Sequence, residues 1–403
     1  MRVRSATGRP GPPAAKAVAR RALLPAVLAA LCLCNTPASG QTVTREGSFW
    51  VESSGGSMNA AGATELKVDV RGAVAVRGGG GADLAYGVKR ISSSRGAAAP
   101  ALRVRRLGPL LVVEGKGGPL SVRTEIQLRV PSFVRRVLVD TEGGELAFEN
   151  LHAEVRASTG GGTVTASGVS GPMEVRTGGG EIRVGQVGGG FRGVTGGGGI
   201  RVEKTGGETW LETAGGGIFV GDSGGAVYAR TGAGDIEINK AAGSVTARTG
   251  GGIIRVREAD GEVSAENYGG PILVSSARGV LCESGGGGIR LNQVSGEVRA
   301  VTADGSVIAD LLAGAPLRDS YLATRRGDVT VLIPSNLAVT VEAQNESPGS
   351  LGRIVSDFSE IRVRGGAGEA ALEAAGALNG GGPVLRITVA RGSILLRRQP
   401  ARD

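Results

Sequence analysis

The 403-residue chain has one histidine, three cysteines and two tryptophans, and aromatic residues make up only 3% of it. Each scarcity removes a class of chemistry. With His152 the sole histidine, a Ser-His-Asp triad or a histidine metal cluster has little to build on. Cys32 and Cys34 fall within the first 40 residues, so Cys282 stands alone in the remainder and no internal disulfide can form there. At position seventeen of its repeat, in a place filled by Ala265 and Ala300 in neighbouring repeats, Cys282 reads as a buried structural thiol. The apolar run 22–34 is 13 residues long, short of the roughly 20 that a membrane helix requires.

Basic residues crowd the start. Arg2, Arg4, Arg9, Lys16, Arg20 and Arg21 precede that apolar run, which is followed by Ala38-Ser39-Gly40. A basic start, a short apolar stretch and small residues before the boundary predict a secretory signal peptide over 1–40, cleaved after Gly40. Removing it takes six of the 46 basic residues and none of the 37 acidic ones, so a formal charge of +9 falls to +3. The basicity belongs mainly to the export signal, and a nucleic-acid partner is not expected.

What the chain has in abundance is glycine, 73 residues, arranged in a repeat. A phrase of Thr, a glycine-rich turn and two branched apolar residues recurs eleven times, beginning at Thr141, Thr159, Thr177, Thr195, Thr213, Thr231, Thr249, Asn267, Ser284, Thr302 and Thr324. The interval is 18 residues, apart from a 17-residue step into Ser284 and a 22-residue step into Thr324. Fixed self-similarity at this scale marks a solenoid in which each repeat is one coil.

Within a coil, positions six and eight are apolar, as in Ile182 and Val184, Ile218 and Val220, or Ile254 and Val256. Positions fifteen and seventeen repeat the pattern in Val227 and Ala229 or Val245 and Ala247. Alternation over so short a span predicts two strands, each with one buried face, and glycine at position thirteen and in the Thr-Gly-Gly-Gly stretch supplies the bends. Parity also turns the first Thr of each repeat inward, where its hydroxyl would meet the amides of the glycine turn. One coil buries too little apolar surface to offset the ordering of its own backbone, so only the stacked array is stable.

The predicted fold is all-β: a parallel β-solenoid, or β-helix, of about 18 residues per coil. Residues 41–140 read as an N-terminal β cap region feeding the first coil, 141–334 as the repeat solenoid, and 335–403 as its C-terminal end and cap. The Ala/Gly-rich stretch 365–382 reads as a loop with a short helix.

The order of these features resembles a known family. A signal peptide is followed by a strand ending in Val130-Pro131, by Thr-x-Gly-Gly-x-Ile-x-Val repeats, by 326–334, by Ser356-Asp357-Phe358 and by Gly392-Ser393-Ile394. This is similar to the bacterial adhesin-type family known as domain of unknown function 4097, over roughly residues 65–398. The resemblance implies an exported β-solenoid with adhesion or envelope association and no transferable catalytic residue.

Four further patterns in the chain could carry chemistry. Paired carboxylates at matching places on adjacent coils would suit glycan cleavage, yet Asp235 and Glu237 have no acidic neighbour in register, and Asp304 and Asp328 sit where the period breaks. Calcium-binding rolls also use 18 residues per turn but need a recurring Asp, where this chain has Ile, Val or Arg. Glycine runs matching a phosphate cradle open strands rather than helices, and Arg326-Gly327-Asp328 lies at a coil corner. No cofactor or metal is expected.

Outward positions remain. Arg183, Arg201 and Phe219 follow one another at position seven, and Arg192, Trp210 and Tyr228 at position sixteen. At coil spacing they could bind sugars or anionic polymers by stacking and bidentate hydrogen bonds, or they could be a solvated face paired with Glu174, Glu212 or Glu237. The expected role is a non-catalytic binding or scaffold protein of the bacterial envelope, periplasmic, surface-borne or secreted. Its partner would be a cell-surface polysaccharide or an envelope protein, with no membrane span after cleavage and an open oligomeric state. A polysaccharide-active β-helix enzyme and an envelope-stress or assembly component without a small ligand are the alternatives.

Overall fold

The structure is a computed structural model and describes residues 41–96, 102–347, 352–365 and 371–400. The predicted signal peptide, with Cys32 and Cys34, lies outside the described residues. All regular elements among the described residues are strands, gathered in two sheets of 18.

Each repeat contributes one strand to either sheet. The repeat at Thr213 gives Ile218–Ser223 to the first and Val227–Thr231 to the second. Because the period holds, like positions pair in parallel without slip: Ile182 lies against Ile200, Ile200 against Ile218, Ile218 against Ile236 and Ile236 against Ile254. The apolar positions face inward as one core; Ile236, Ile238, Val256, Ala229 and Ala247 are fully enclosed. Where one position changes size, its neighbour answers. Phe191 replaces the usual valine, and a Cβ at Gly193 would lie 3.0 Å from its ring.

The repeat-initial column turns inward as parity predicts, and Thr141, Thr159, Thr195, Thr213, Thr231 and Thr302 are all buried. Expected contacts to the turn amides are present: Thr231 Oγ1 accepts from the Gly234 amide at 3.2 Å, and Thr177 Oγ1 from the Gly180 amide at 3.2 Å. The same hydroxyls also donate across coils. Thr159 donates to the Gly144 carbonyl at 2.8 Å, Thr195 to Gly180 at 2.8 Å, Thr231 to Gly216 at 2.8 Å and Thr302 to Gly287 at 2.8 Å. Asn267 does both jobs with one amide, donating to the Gly252 carbonyl at 2.9 Å and accepting from the Gly270 amide at 2.9 Å.

Chain order and stacking order part company at both ends. In the second sheet Glu65–Val70 lies between Leu110–Gly115 and Arg136–Thr141, and in the first sheet Ala73–Gly79 lies between Arg123–Pro131 and Leu146–Glu149. At the other end Val384–Val389 lies between Ser320–Arg326 and Val339–Asn345, while Ser393–Arg398 lies between Val329–Ile333 and Arg353–Ser356. The last segment of chain is therefore the next-to-last coil. Among the described residues the pairings run in single file with an edge at each end of both sheets, and neither sheet closes on itself. The edge strands Arg103–Leu107 and Arg362–Arg364 carry arginines, which discourage pairing with another chain.

Residues 366–370 lie outside the described residues, and over 371–382 the expected short helix is not found. Leu372–Leu378 is a strand, antiparallel to both Val339–Asn345 and Arg362–Arg364. Its Ala and Leu content favours a helix locally, and the open edge of the sheet overrides that weak preference.

Candidate functional site

The outward residues singled out from the sequence fall on two separate faces. Arg192, Trp210 and Tyr228 are register neighbours on the second sheet, in strands Phe191–Thr195, Thr209–Thr213 and Val227–Thr231. Arg183, Arg201 and Phe219 are register neighbours on the first sheet. The core lies between the two groups, so they cannot form one site.

Stacking fixes the geometry of each face. The rings of Trp210 and Tyr228 are 5.2 Å apart between centroids and inclined by 8°, and the guanidinium carbon of Arg192 lies 3.8 Å from the Trp210 ring centre. On the opposite face Arg201 sits 3.9 Å over Phe219. Flat groups one coil apart meet face to face because the strands are in register and their side chains stand perpendicular to the sheet. Trp210 is thus covered by a cation on one side and an aromatic ring on the other.

The surrounding charges are partly neutralised. Arg183 pairs with Glu181 at 2.5 Å, Arg201 with Glu203 at 2.6 Å and Arg192 with Glu174 at 4.0 Å. Arg176 holds Glu174 more closely, at 2.8 Å, and that hydrogen bond, with the charges of Arg176, Arg156 and Arg192, lowers the Glu174 carboxyl below its ordinary range against an opposing effect of burial. The bond to Glu181 raises the Arg183 guanidinium further. Glu237 takes Arg257 at 2.9 Å and Arg255 at 4.0 Å. Glu212, Arg230, Thr246 and Ser264 make no side-chain hydrogen bond or ion pair among the described residues.

Beneath Trp210 lies a feature that sequence reading missed. Thr209, inward where most repeats have valine, stands 2.7 Å from the Thr205 hydroxyl and 3.0 Å from that of Ser223. Thr209 broke the valine pattern in the sequence; only coil stacking shows that its partners lie at position eleven of two successive repeats. The three hydroxyls satisfy one another inside the core.

Other candidates are occupied or isolated. His152 is exposed. Arg326 pairs with Asp304, with Nη2 to Oδ2 at 2.9 Å, and Asp328 accepts the Ser393 amide at 2.8 Å. Both charged arms of Arg326-Gly327-Asp328, and both carboxylates at the period break, are thereby engaged within the stack. Cys282 is fully buried and its thiol is pushed upward by desolvation. No group of three or more His, Cys, Asp and Glu suited to a metal occurs among the described residues, and no helix there is long and apolar enough to cross a membrane.

No family model matches the chain, so the family resemblance rests on the residues that carry it. No curated protein matches either. Similar solved structures include a candidate cell adhesion protein from Clostridium sporogenes, 12% identical over 87% of this chain and 99% of that one, with a TM-score of 0.19. A candidate adhesin from Bacteroides fragilis is 11% identical over 69% of this chain and 95% of that one, with a TM-score of 0.27. At these scores the likeness carries no argument; the fold stands on the pairings above.

Proposed function

We propose that the protein is an exported, non-catalytic, adhesin-like binding rod of the bacterial cell envelope, which engages a surface polysaccharide or an envelope protein through side chains repeated along its faces. The observation that supports this most is the register-aligned column Arg192, Trp210 and Tyr228 on a rigid sheet. Trp210 and Tyr228 are both partly exposed on that face, and a ligand that lies along several coils gains from many small contacts at high effective concentration. The predicted signal peptide and the resemblance to the adhesin-type family support export and envelope association.

Retention of the mature chain on isolated envelopes and on a glycan array, run beside a turnover assay on the same glycans, tests the reading. Saturable retention without product is expected. Cleavage of any glycan would overturn it in favour of a polysaccharide-active enzyme, and absence of retention on every surface would overturn the binding role.

A further inference from the structure

We propose that the face of Tyr228 turned away from Trp210, together with Thr246, Ser264 and Arg230, is a subsite for one carboxylated pyranose unit of an acidic polysaccharide. This deepens the binding role above and rests on it. Trp210 cannot offer a stacking face, because Arg192 covers one side at 3.8 Å and Tyr228 the other at 5.2 Å. Since the two rings are inclined by only 8°, the second face of Tyr228 looks along the stack toward the next coil.

There the column drops abruptly. The register neighbours after Tyr228 are Thr246, Ser264 and then Leu281. Two short hydroxyl side chains leave a shelf between the ring and Leu281, with Thr246 and Ser264 as its floor. At about 4.8 Å per coil, a pyranose standing against the ring would sit over Thr246. Neither hydroxyl has a hydrogen-bond partner among the described residues, so both are free to serve sugar hydroxyls. The C–H face of the pyranose supplies the apolar surface that a ring face prefers.

Charge selects the class of sugar. Arg230 follows Tyr228 by two residues on the same strand and so projects from the same face. Arg248, its neighbour on the shelf side, is held by Glu266 at 3.0 Å. Arg230 itself has no ion pair or hydrogen bond among the described residues, though Glu212 is its register neighbour on the far side. A free planar guanidinium beside a ring face suits a carboxylate, which it can grip with two parallel bonds. The other sheet lacks this arrangement, since the neighbour beyond Phe219 is the carboxylate of Glu237.

Calorimetric titration of the mature chain with short oligogalacturonates and with neutral galactose oligosaccharides of equal length tests the proposal. The wild type should prefer the acidic series. Thr246→Tyr should extend the ring column into the shelf, keep the thermal midpoint and weaken oligogalacturonate binding by about tenfold or more. Arg230→Gln should remove the preference for the acidic series. Equal binding of both series, undiminished binding by Thr246→Tyr, or no binding of either series would overturn the subsite. If neither series binds while the chain is still retained on isolated envelopes, the subsite falls and the binding role stands; if retention is also absent, both fall.

Discussion

The threonine that opens a repeat works in two directions, and its loss should cost more than a methyl-for-hydroxyl exchange suggests. Thr231→Val preserves shape yet strands the Gly216 carbonyl, the acceptor at 2.8 Å, and the Gly234 amide, the donor at 3.2 Å. A loss of about 1–3 kcal/mol is expected, read from the denaturant midpoint. Cys282 illustrates the reverse case of a polar group sealed in the core. Full burial and a raised thiol pKa predict that thiol reagents label it only after unfolding, and rapid labelling of the native chain would contradict that. Glu174 gives a pH test. Its folded pKa lies below the ordinary 4.5, so its contribution is present above the unfolded value and is lost as pH falls through the lower folded value. Site-resolved titration should place it below free glutamate, and Arg176→Gln should move it upward.

At the scale of the element, the two strands per repeat and their inward faces were legible in the sequence because alternation and an 18-residue period overlap. The glycine turns divide more sharply than their composition implied. A Cβ on Gly162 would come within 1.8 Å of the Gly144 carbonyl oxygen, whereas one on Gly161 meets nothing within 4 Å. Gly162→Ala should therefore lower the thermal midpoint by several degrees, and Gly161→Ala should leave it unchanged; equal effects would mean that the turns do not nest as described. Three features were not legible. The Thr donation to the preceding coil, the hydroxyl cluster around Thr209 and the covering of both Trp210 faces depend on which residues stack, information that lies between coils rather than within one. Strand Leu372–Leu378 was hidden because alanine and glycine blur the contrast between inward and outward positions. Sequence spacing put Arg192, Trp210 and Tyr228 one coil apart, as the register has them, but could not show which face of which ring is left uncovered.

For the whole molecule, the parallel in-register stack is the claim from which the column, the shelf and the nested turns all follow. The displaced end coils belong to the same scale: inserting Val384–Val389 between Ser320–Arg326 and Val339–Asn345 ties the C-terminal end by long-range pairing, which no local period could reveal. The most direct measurement uses pairs of spin labels along the outward column Ser158, Glu212, Arg230, Arg248 and Glu266. With one label fixed at Ser158 and its partner moved from Glu212 through Arg230 and Arg248 to Glu266, the distance by pulsed electron resonance should grow by about 4.8 Å at each step. Distances that stay level or fall as the partner moves would contradict the stack.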